Sequence, residues 1–183
     1  MSPSFLLPAI PTVETARLVL RGHTASDLDA CFTLWSDPEV VRHIGGKPST
    51  REDAWSRVLR YAGHWALMGF GFWVVEEKAS GRYAGEVGLA RFERAIEPPF
   101  GETPEAGWVL APWAQGRGYA TEAVRAALGW MEQERGMRRA VCMIDVPNLA
   151  SIRVAERCGF KEQWRGDYKG EPAIVFSRET AGT

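Results

Sequence analysis

The sequence predicts a mixed α+β fold, in which helices flank a mixed, mostly antiparallel sheet of about seven strands. Two stretches near the middle of the chain carry this prediction. The segments "GFWVVEE" and "RYAGEVGLARF" flank the turn "KASG", which is the pattern of an antiparallel hairpin. A strand, a long helix and a buried strand then follow one another between residues 105 and 146, which predicts a right-handed parallel crossover. At 183 residues the chain is expected to form a single domain, residues 1–183, with a full core.

The first part of the chain is predicted to contain a tail, a strand and a helix. The opening stretch "MSPSFLLPAIP" is apolar but broken by three prolines, and we expect residues 1–13 to form a flexible N-terminal tail. "RLVLRG" alternates polar and apolar residues and predicts a strand over residues 17–22. "ASDLDACFTLWSD" has helical spacing, since Leu28, Cys31 and Trp35 fall on one face.

Polar residues are predicted to begin the next two helices. Asp37 precedes a proline and is expected to cap a short helix that ends near Ile44. In "STRE", Ser49 and Glu52 match a capping box, with the serine as cap and the glutamate at the third helical position. We expect this helix to run to about Met68, where a glycine follows.

The second half of the chain reads as strands and helices in alternation. Residues 105–110 predict a strand, residues 117–135 a long helix and residues 139–146 a buried strand. Asn148 is expected to cap a further helix, which ends at Gly159. "FKEQWRG" and "PAIVFSRE" are predicted to close the chain as two more strands.

Composition and charge argue against several classes of protein. Apolar residues make up 45% of the chain, charged residues 25%, and the net charge is −1, as in ordinary globular proteins. No nucleic-acid partner is expected because the chain has no basic surplus. No membrane segment is expected because no run approaches ~18 apolar residues. The N-terminus lacks the basic start of a signal peptide, so we expect a cytoplasmic protein.

The cysteines and histidines match neither a disulfide framework nor a metal site. The three cysteines have no CxxC spacing and the three histidines no HExxH pair, so no metal is expected. Cys142 lies in an apolar run and Cys158 near a helix end, which favours buried packing for both. A Cys–His nucleophile pair stays open, because its members need only meet in space.

Two glycines surround an arginine where the long helix must begin. In "APWAQGRGYATEA", Gly116 and Gly118 flank Arg117, although glycine costs a helix about 1 kcal/mol relative to alanine. The first N–H groups of a helix have no intrahelical partner and attract anions, and glycines let a ligand approach the backbone. The loop therefore predicts a phosphate or pyrophosphate site, and a tight turn without a ligand is the alternative.

Two familiar phosphate loops do not match this stretch. A Walker A loop requires GxxxxGK[ST], which is absent, and a dinucleotide fingerprint requires a third glycine where this chain has Thr121. The hairpin-rich chain upstream also does not fit a dinucleotide fold. The pattern that remains is Q-x-x-G-x-A, formed by Gln115, Gly118 and Ala120.

This pattern resembles the GNAT superfamily of acetyl-CoA-dependent N-acetyltransferases, in which [QR]-x-x-G-x-[GA] wraps the CoA pyrophosphate. More narrowly, the chain is similar to the branch that includes the ribosomal-protein N-acetyltransferases RimJ and RimL. The resemblance runs from Glu14 to about Phe160 in the family's order. Its matching stretches are "ETARLVLR", "LWSDPEVVRHIG", "GHWALMGFGFWVVEEKASGRYAGEVGL", "EAGWVLAPWAQGRGYATEAVRAAL" and "NLASIRVAERCGF".

The resemblance implies a GNAT fold and acetyl-CoA as co-substrate, with no metal. In that fold the strand before the glycine loop splays from its neighbour, and the pantetheine arm pairs with the exposed backbone. The amine attacks the thioester directly from the opposite side. The cofactor-binding residues carried over onto this sequence are Trp108, Val109, Leu110, Gln115, Gly116, Arg117, Gly118, Tyr119, Ala120, Thr121, Asn148 and Ser151.

The proton donor to the leaving thiolate is a point where the chain departs from many relatives. Their tyrosine, seven residues after the asparagine, is replaced by Ala155. The RimJ/RimL branch instead has a serine three residues after the asparagine, which is Ser151 here. We expect Ser151 to donate to the CoA sulfur while Asn148 orders the cofactor and the helix start. The alternative is that Ser151 only helps to cap the helix.

Two carboxylates in otherwise apolar strands are candidates for the general base. Glu86 and Glu105 lie in strands that are expected to be neighbours, and either could accept the amine proton directly or through water. We favour Glu86 slightly, because Glu105 could face solvent at a strand end. Tyr168, Asp145 and His64 are weaker candidates, and an amine of low pKa would need no base.

The resemblance favours an enzyme, and its alternative is a catalytically weak acyl-CoA-binding domain that acts as a sensor or scaffold. The acceptor would be the amine of a small molecule or a peptide N-terminus. The loop at residues 93–104 is expected to border the acceptor site and to set specificity. Because dimers are common among relatives, a homodimer is also possible.

Overall fold

The computed structural model describes residues 9–180 and confirms the α+β class. Its helices are α1 (Leu28–Ser36), α2 (Pro38–Val41), α3 (Arg51–Met68), α4 (Tyr119–Arg135) and α5 (Leu149–Arg157). Its strands are β1 (Val13–Glu14), β2 (Leu18–Arg21), β3 (Phe72–Glu77), β4 (Tyr83–Ala90), β5 (Glu105–Leu110), β6 (Arg139–Asp145), β7 (Lys161–Tyr168) and β8 (Glu171–Glu179).

The strands form one eight-stranded sheet in the order β1-β2-β3-β4-β5-β6-β8-β7. All neighbouring pairs are antiparallel except β5 and β6, which are parallel and are connected through α4. The predicted hairpin and the predicted parallel crossover are thus both present. The sheet has one strand more than the seven predicted, because the short β1 adds to the edge at β2.

The start of the described chain is held by the fold, so the expected flexible tail over residues 1–13 is too long at its C-terminal end. Val13 pairs with Leu20 of β2. The Trp73 indole N–H donates a 2.8 Å hydrogen bond to the carbonyl oxygen of Pro11, and Ile10 packs against the core. Residues 1–8 lie outside the described residues.

The sheet is covered on two faces by different helices. Leu110 belongs to the largest buried cluster, which includes α4 and α5. Val109 belongs to a second cluster formed with α1, α2 and α3. Because successive residues of a strand point to opposite faces, α4 and α5 cover one face and α1 to α3 cover much of the other. No helix within residues 9–180 is long and apolar enough to cross a membrane.

The helix starts agree with the predictions at two positions and differ at two. Asp37 caps α2 as predicted, although α2 ends at Val41 rather than near Ile44. The capping box of α3 is Thr50 with Asp53, one residue later than the predicted pair, because the backbone N–H of Ser49 donates to the carbonyl of Trp35 in α1 and is not available to a capping side chain. Both adjacent stretches match the broader pattern [ST]-x-x-[DE], and the contact of Ser49 with Trp35 selects between them. Asn148 caps α5 as predicted, and α4 begins at residue 119 rather than 117.

Candidate active site

A gap opens between β5 and β6. Within residues 9–180 these strands pair only at Glu105 and Val141, whereas β5 pairs with β4 along its whole length. The N–H of Ala111 donates to β4, so by strand alternation the N–H and C=O groups of Trp108 and Leu110 point to the gap side. The predicted splayed strand therefore carries backbone groups that no neighbouring strand pairs.

The glycine loop lies at the end of this gap. Gly116 and Gly118 have φ of +72° and +78°, a region that glycine adopts without steric cost. Gly118 is the N-cap of α4 and provides no side-chain hydrogen bond to the first turn, so the first N–H groups are free for an anion. A Cβ at Gly116 would meet nothing within 4 Å. The Gln115 amide donates a 3.0 Å hydrogen bond to the carbonyl of Leu110, which ties the loop to the strand.

The Arg117 side chain is held at the protein surface by a residue that the sequence analysis missed. Its Nη1 lies 2.8 Å from Oε1 of Glu77, at the end of β3. The hydroxyl of the buried Tyr119 donates to the same oxygen at 2.6 Å. Arg17, also missed, donates from Nη1 to the carbonyl of Arg117 at 2.9 Å and pairs with Glu122. No local sequence signal links these residues, because the contacts span 40 positions or more.

The N-terminus of α5 lies at the same edge of the sheet, since α5 follows β6 and α4 follows its parallel neighbour β5. The Oδ1 atom of Asn148 accepts a 3.1 Å hydrogen bond from the N–H of Ser151. The Ser151 side chain is half-buried, and its hydroxyl has no hydrogen-bond partner in the described part of the chain. Ala155 is fully buried in the core. The topology thus brings Ser151 to the end of the gap at which the glycine loop lies.

Glu86 is buried in a cluster of hydrogen-bond donors beneath α1 and α3. Oε2 accepts from the Trp35 indole at 3.0 Å and from the Tyr61 hydroxyl at 2.9 Å, while Oε1 accepts from the Tyr83 hydroxyl at 2.7 Å. Burial alone would raise the pKa of Glu86, but the interactions with His23, Tyr83 and Trp35 outweigh it and hold that pKa at about 2. A carboxylate so stabilised is a poor proton acceptor. The geometry therefore argues against Glu86, the candidate slightly favoured from the sequence, as the base.

Glu105 is buried beside one arginine and a cavity. It is 5% exposed, so the possibility that it faces solvent is wrong. Arg94 binds it through two contacts, Nε to Oε2 at 2.5 Å and Nη2 to Oε1 at 2.8 Å. Glu105 also lines a cavity of about 200 Å³ formed with residues of the 91–103 segment. The expected bordering loop therefore lies against this carboxylate. A second cavity of about 380 Å³ is lined by residues of the same loop and of β6, β7 and β8.

The three weaker base candidates have other surroundings. Both ring nitrogens of His64 contact backbone groups, the Phe70 carbonyl at 2.7 Å and the Arg91 N–H at 3.0 Å. The Tyr168 hydroxyl lies 3.4 Å from Nη1 of Arg94, which places it near Glu105. Desolvation raises the pKa of Asp145, at the end of β6.

The cysteines are buried, as the packing interpretation predicts for Cys142 and Cys158. Burial raises the pKa of both thiols. Within residues 9–180 no three His, Cys, Asp or Glu side chains are grouped so that they could hold a metal ion.

Comparisons with known proteins agree with this geometry. Residues 17–161 match the family model described as an acetyltransferase (GNAT) domain. The chain is 31% identical over 170 residues to YkkB, an uncharacterized protein of Bacillus subtilis (strain 168). This alignment covers 91% of this chain and 94% of the relative. A solved structure assigned to the GnaT family of acetyltransferases, from Bordetella pertussis, is 32% identical and superposes with a TM-score of 0.81, over 92% of this chain and 99% of the other.

The narrower branch is not distinguished by these comparisons. RimL, a ribosomal L7/L12 α-N-protein acetyltransferase solved in complex with coenzyme A, superposes with a TM-score of 0.74 over 92% of this chain and 98% of its own. At 19% identity this likeness concerns the fold alone. The family model, the relative and the Bordetella structure together place this chain in the GNAT acetyltransferase family.

Proposed function

We propose that the protein is an acetyl-CoA-dependent N-acetyltransferase, which moves the acetyl group to a primary amine by direct attack. The observation that carries the proposal is the gap between β5 and β6, which ends at a glycine loop and at an uncapped helix start. Unpaired strand backbone suits a ligand with amide groups along an extended arm. An open loop over helix N–H groups suits its phosphates. Acetyl-CoA has both features and supplies the acetyl group as a thioester.

The residues proposed to hold the co-substrate lie in three places. In β5, Trp108 and Leu110 turn backbone groups to the gap, with Val109 between them, and the Leu110 carbonyl is already bound by Gln115; Asn148 and Ser151 offer the start of α5. The glycine loop and the first turn of α4 offer the others, which are Gln115, Gly116, Arg117, Gly118, Tyr119, Ala120 and Thr121.

Ser151 is proposed as the hydrogen-bond donor to the leaving sulfur. A free thiol has a pKa near ~8.5, so stabilising the thiolate lowers the barrier to its departure. The Ser151 Oγ has no competing partner among the described residues, and Asn148 orders the turn that carries it. The positive end of the α5 dipole favours negative charge at the same place.

Glu105 is the better candidate for the base, directly or through water. Both carboxylates have both oxygens bound, Glu105 by Arg94 and Glu86 by Trp35, Tyr61 and Tyr83, but only Glu105 lines a cavity, and Glu86 has no exposed surface. The acceptor is a small-molecule amine or a peptide N-terminus, and the loop at residues 93–104 contacts it.

The test is thiol release from acetyl-CoA with a panel of peptides with free N-termini, amino acids, polyamines and aminoglycosides. We expect turnover with at least one amine, and Ser151→Ala should reduce kcat at least roughly ten-fold, the loss of one hydrogen bond to a developing charge. Ser151→Thr, which keeps a hydroxyl, should recover part of this loss. Turnover indifferent to Ser151→Ala would retire Ser151 as donor. Binding of acetyl-CoA without turnover across the panel would instead support a sensor or scaffold.

A matched pair of glycine variants tests the loop. Gly116→Ala adds a methyl group at the proposed phosphate site, at a residue whose φ is +72°. Gly129→Ala adds a methyl group in open space, within helix α4, which follows the loop. We expect only Gly116→Ala to raise KM for acetyl-CoA. An equal effect of both would contradict the site.

A further inference from the structure

We propose that Glu77 is a positioning residue for the donor site, which holds the glycine loop in the conformation that binds the co-substrate phosphates. This inference rests on the proposed function. Glu77 is the last residue of β3. Along the chain, the β3–β4 turn and the strands β4 and β5 lie between Glu77 and the glycine loop. The Glu77 side chain is 10% exposed. It acts through the residues on either side of Gly118.

One oxygen of Glu77 binds both neighbours of the N-cap glycine. Oε1 accepts from the Tyr119 hydroxyl at 2.6 Å and from Nη1 of Arg117 at 2.8 Å. Gly118 itself has no side chain to cap the helix, and its φ of +78° is one that most residues avoid. Glycine adopts this φ without steric cost but does not restrict the loop to it, so contacts from other elements help to order the loop. Glu77 supplies two of them, in addition to the bond from Arg17 to the Arg117 carbonyl.

The carboxylate is itself held in place by its own turn. Oε2 accepts a 2.6 Å hydrogen bond from the Ser80 hydroxyl. The Glu77 carbonyl accepts from the N–H of Gly81 at 2.8 Å, which closes the β3–β4 hairpin. A rigid hairpin thus fixes Glu77, and Glu77 fixes the loop, so that less ordering is required when the ligand binds.

Glu77 carries a negative charge near the proposed phosphate site. The direction in which its removal changes the affinity for acetyl-CoA therefore distinguishes two roles. If Glu77 only competed with phosphates for Arg117, its removal would strengthen binding. If it positions the loop, its removal weakens binding. Because Arg117 is 48% exposed, its ion pair with Glu77 contributes little to stability by itself.

The experiment compares two acyl donors with the acceptor found in the amine panel. Acetyl-CoA carries the phosphates, and S-acetyl-N-acetylcysteamine carries the same thioester without them. We expect Glu77→Ala to raise KM for acetyl-CoA roughly five- to ten-fold, as expected for one lost charge-assisted hydrogen bond, with kcat unchanged. KM for the short donor should not change. Glu77→Gln keeps an acceptor for Tyr119 and should show a smaller rise.

Glu76→Ala is the matched control, because Glu76 is the neighbouring carboxylate of β3 on the opposite face and is paired with Arg21. Tyr119→Phe provides a milder second variant, which removes only the hydroxyl contact. A fall in KM for acetyl-CoA, an equal rise with both donors, or an effect no larger than that of Glu76→Ala would each overturn the proposal.

Calorimetric titration with CoA separates this inference from the proposed function. It needs neither an acceptor nor turnover, so Kd should rise in Glu77→Ala even if no amine is acetylated. A wild-type protein that binds CoA but never turns over contradicts the enzyme while the Kd values still decide the role of Glu77. A wild-type protein that does not bind CoA overturns both.

Discussion

Glu86 and Glu105 lie on the same face of two neighbouring strands, yet their surroundings differ. Glu86 accepts hydrogen bonds from two tyrosines and a tryptophan and is 0% exposed. Glu105 meets one arginine and borders a cavity. Burial raises the chance that a carboxylate is perturbed, but the number and type of its partners decide whether it can exchange a proton. Glu86 is enclosed by donors from three elements, whereas Glu105 is bound through both oxygens to Arg94 alone and keeps one side toward a cavity, which is why it is the one proposed to act on a substrate.

The largest effect is expected at Glu105. Glu105→Gln should lower kcat by about 100-fold or more, the lower end of what a general base contributes, while the thermal midpoint falls only modestly. Steady-state kinetics at saturating acetyl-CoA and a circular-dichroism melt measure the two effects. A kcat within a few-fold of the wild type would remove Glu105 from the mechanism and would break the comparison.

Glu86 should show the opposite pattern. Glu86→Ala removes one member of a buried charged network, so the free energy of unfolding should fall by about 3–5 kcal/mol, with kcat of the folded protein preserved. Urea unfolding and kinetics under native conditions test this. If the variant does not fold, Glu86→Gln serves the same purpose with the shape retained. Loss of kcat in a stably folded Glu86→Gln protein would restore Glu86 as a catalytic candidate.

The pH dependence of stability should carry the signature of Glu86. Its pKa is about 2 in the folded protein against an ordinary value of 4.5. Between these values the unfolded state binds more protons, so its contribution is fully present above pH 4.5 and is lost as pH falls toward 2. The free energy of unfolding should drop by about 3 kcal/mol over this window. Glu86→Gln should flatten that slope, and an unchanged slope would assign it to other carboxylates.

The smallest effect is expected from a single donor to Glu86. Tyr61→Phe removes one hydrogen bond from Oε2, which still accepts from Trp35. We expect the free energy of unfolding to fall by about 1 kcal/mol with kcat unchanged. In a Tyr61→Phe/Glu86→Gln double variant, additive losses in the free energy of unfolding would show that the two residues do not interact. That result would contradict the hydrogen bond between Tyr61 and Glu86.

Local features of this protein could be predicted because neighbouring residues determine them. The hairpin, the strand at residues 105–110, the Asn148 cap and the glycine loop each depend on spacing within a short stretch. The capping box of α3 shows the limit, because the stretch at Ser49 matches the motif at least as well as the stretch at Thr50, and a tertiary hydrogen bond from the Ser49 N–H to Trp35 excludes the former.

The sequence by itself determined the order of elements, the fold class and a glycine loop suited to phosphate, and it marked Glu86 and Glu105 as unusual. Only the tertiary structure decided which of the two is enclosed by donors, because Trp35 and Tyr61 lie 51 and 25 positions from Glu86. The gap beside β5 and the contact of Glu77 with Tyr119, 42 positions away, likewise arise from sheet register. Contacts of this range depend on how strands align across the sheet, which no local pattern encodes.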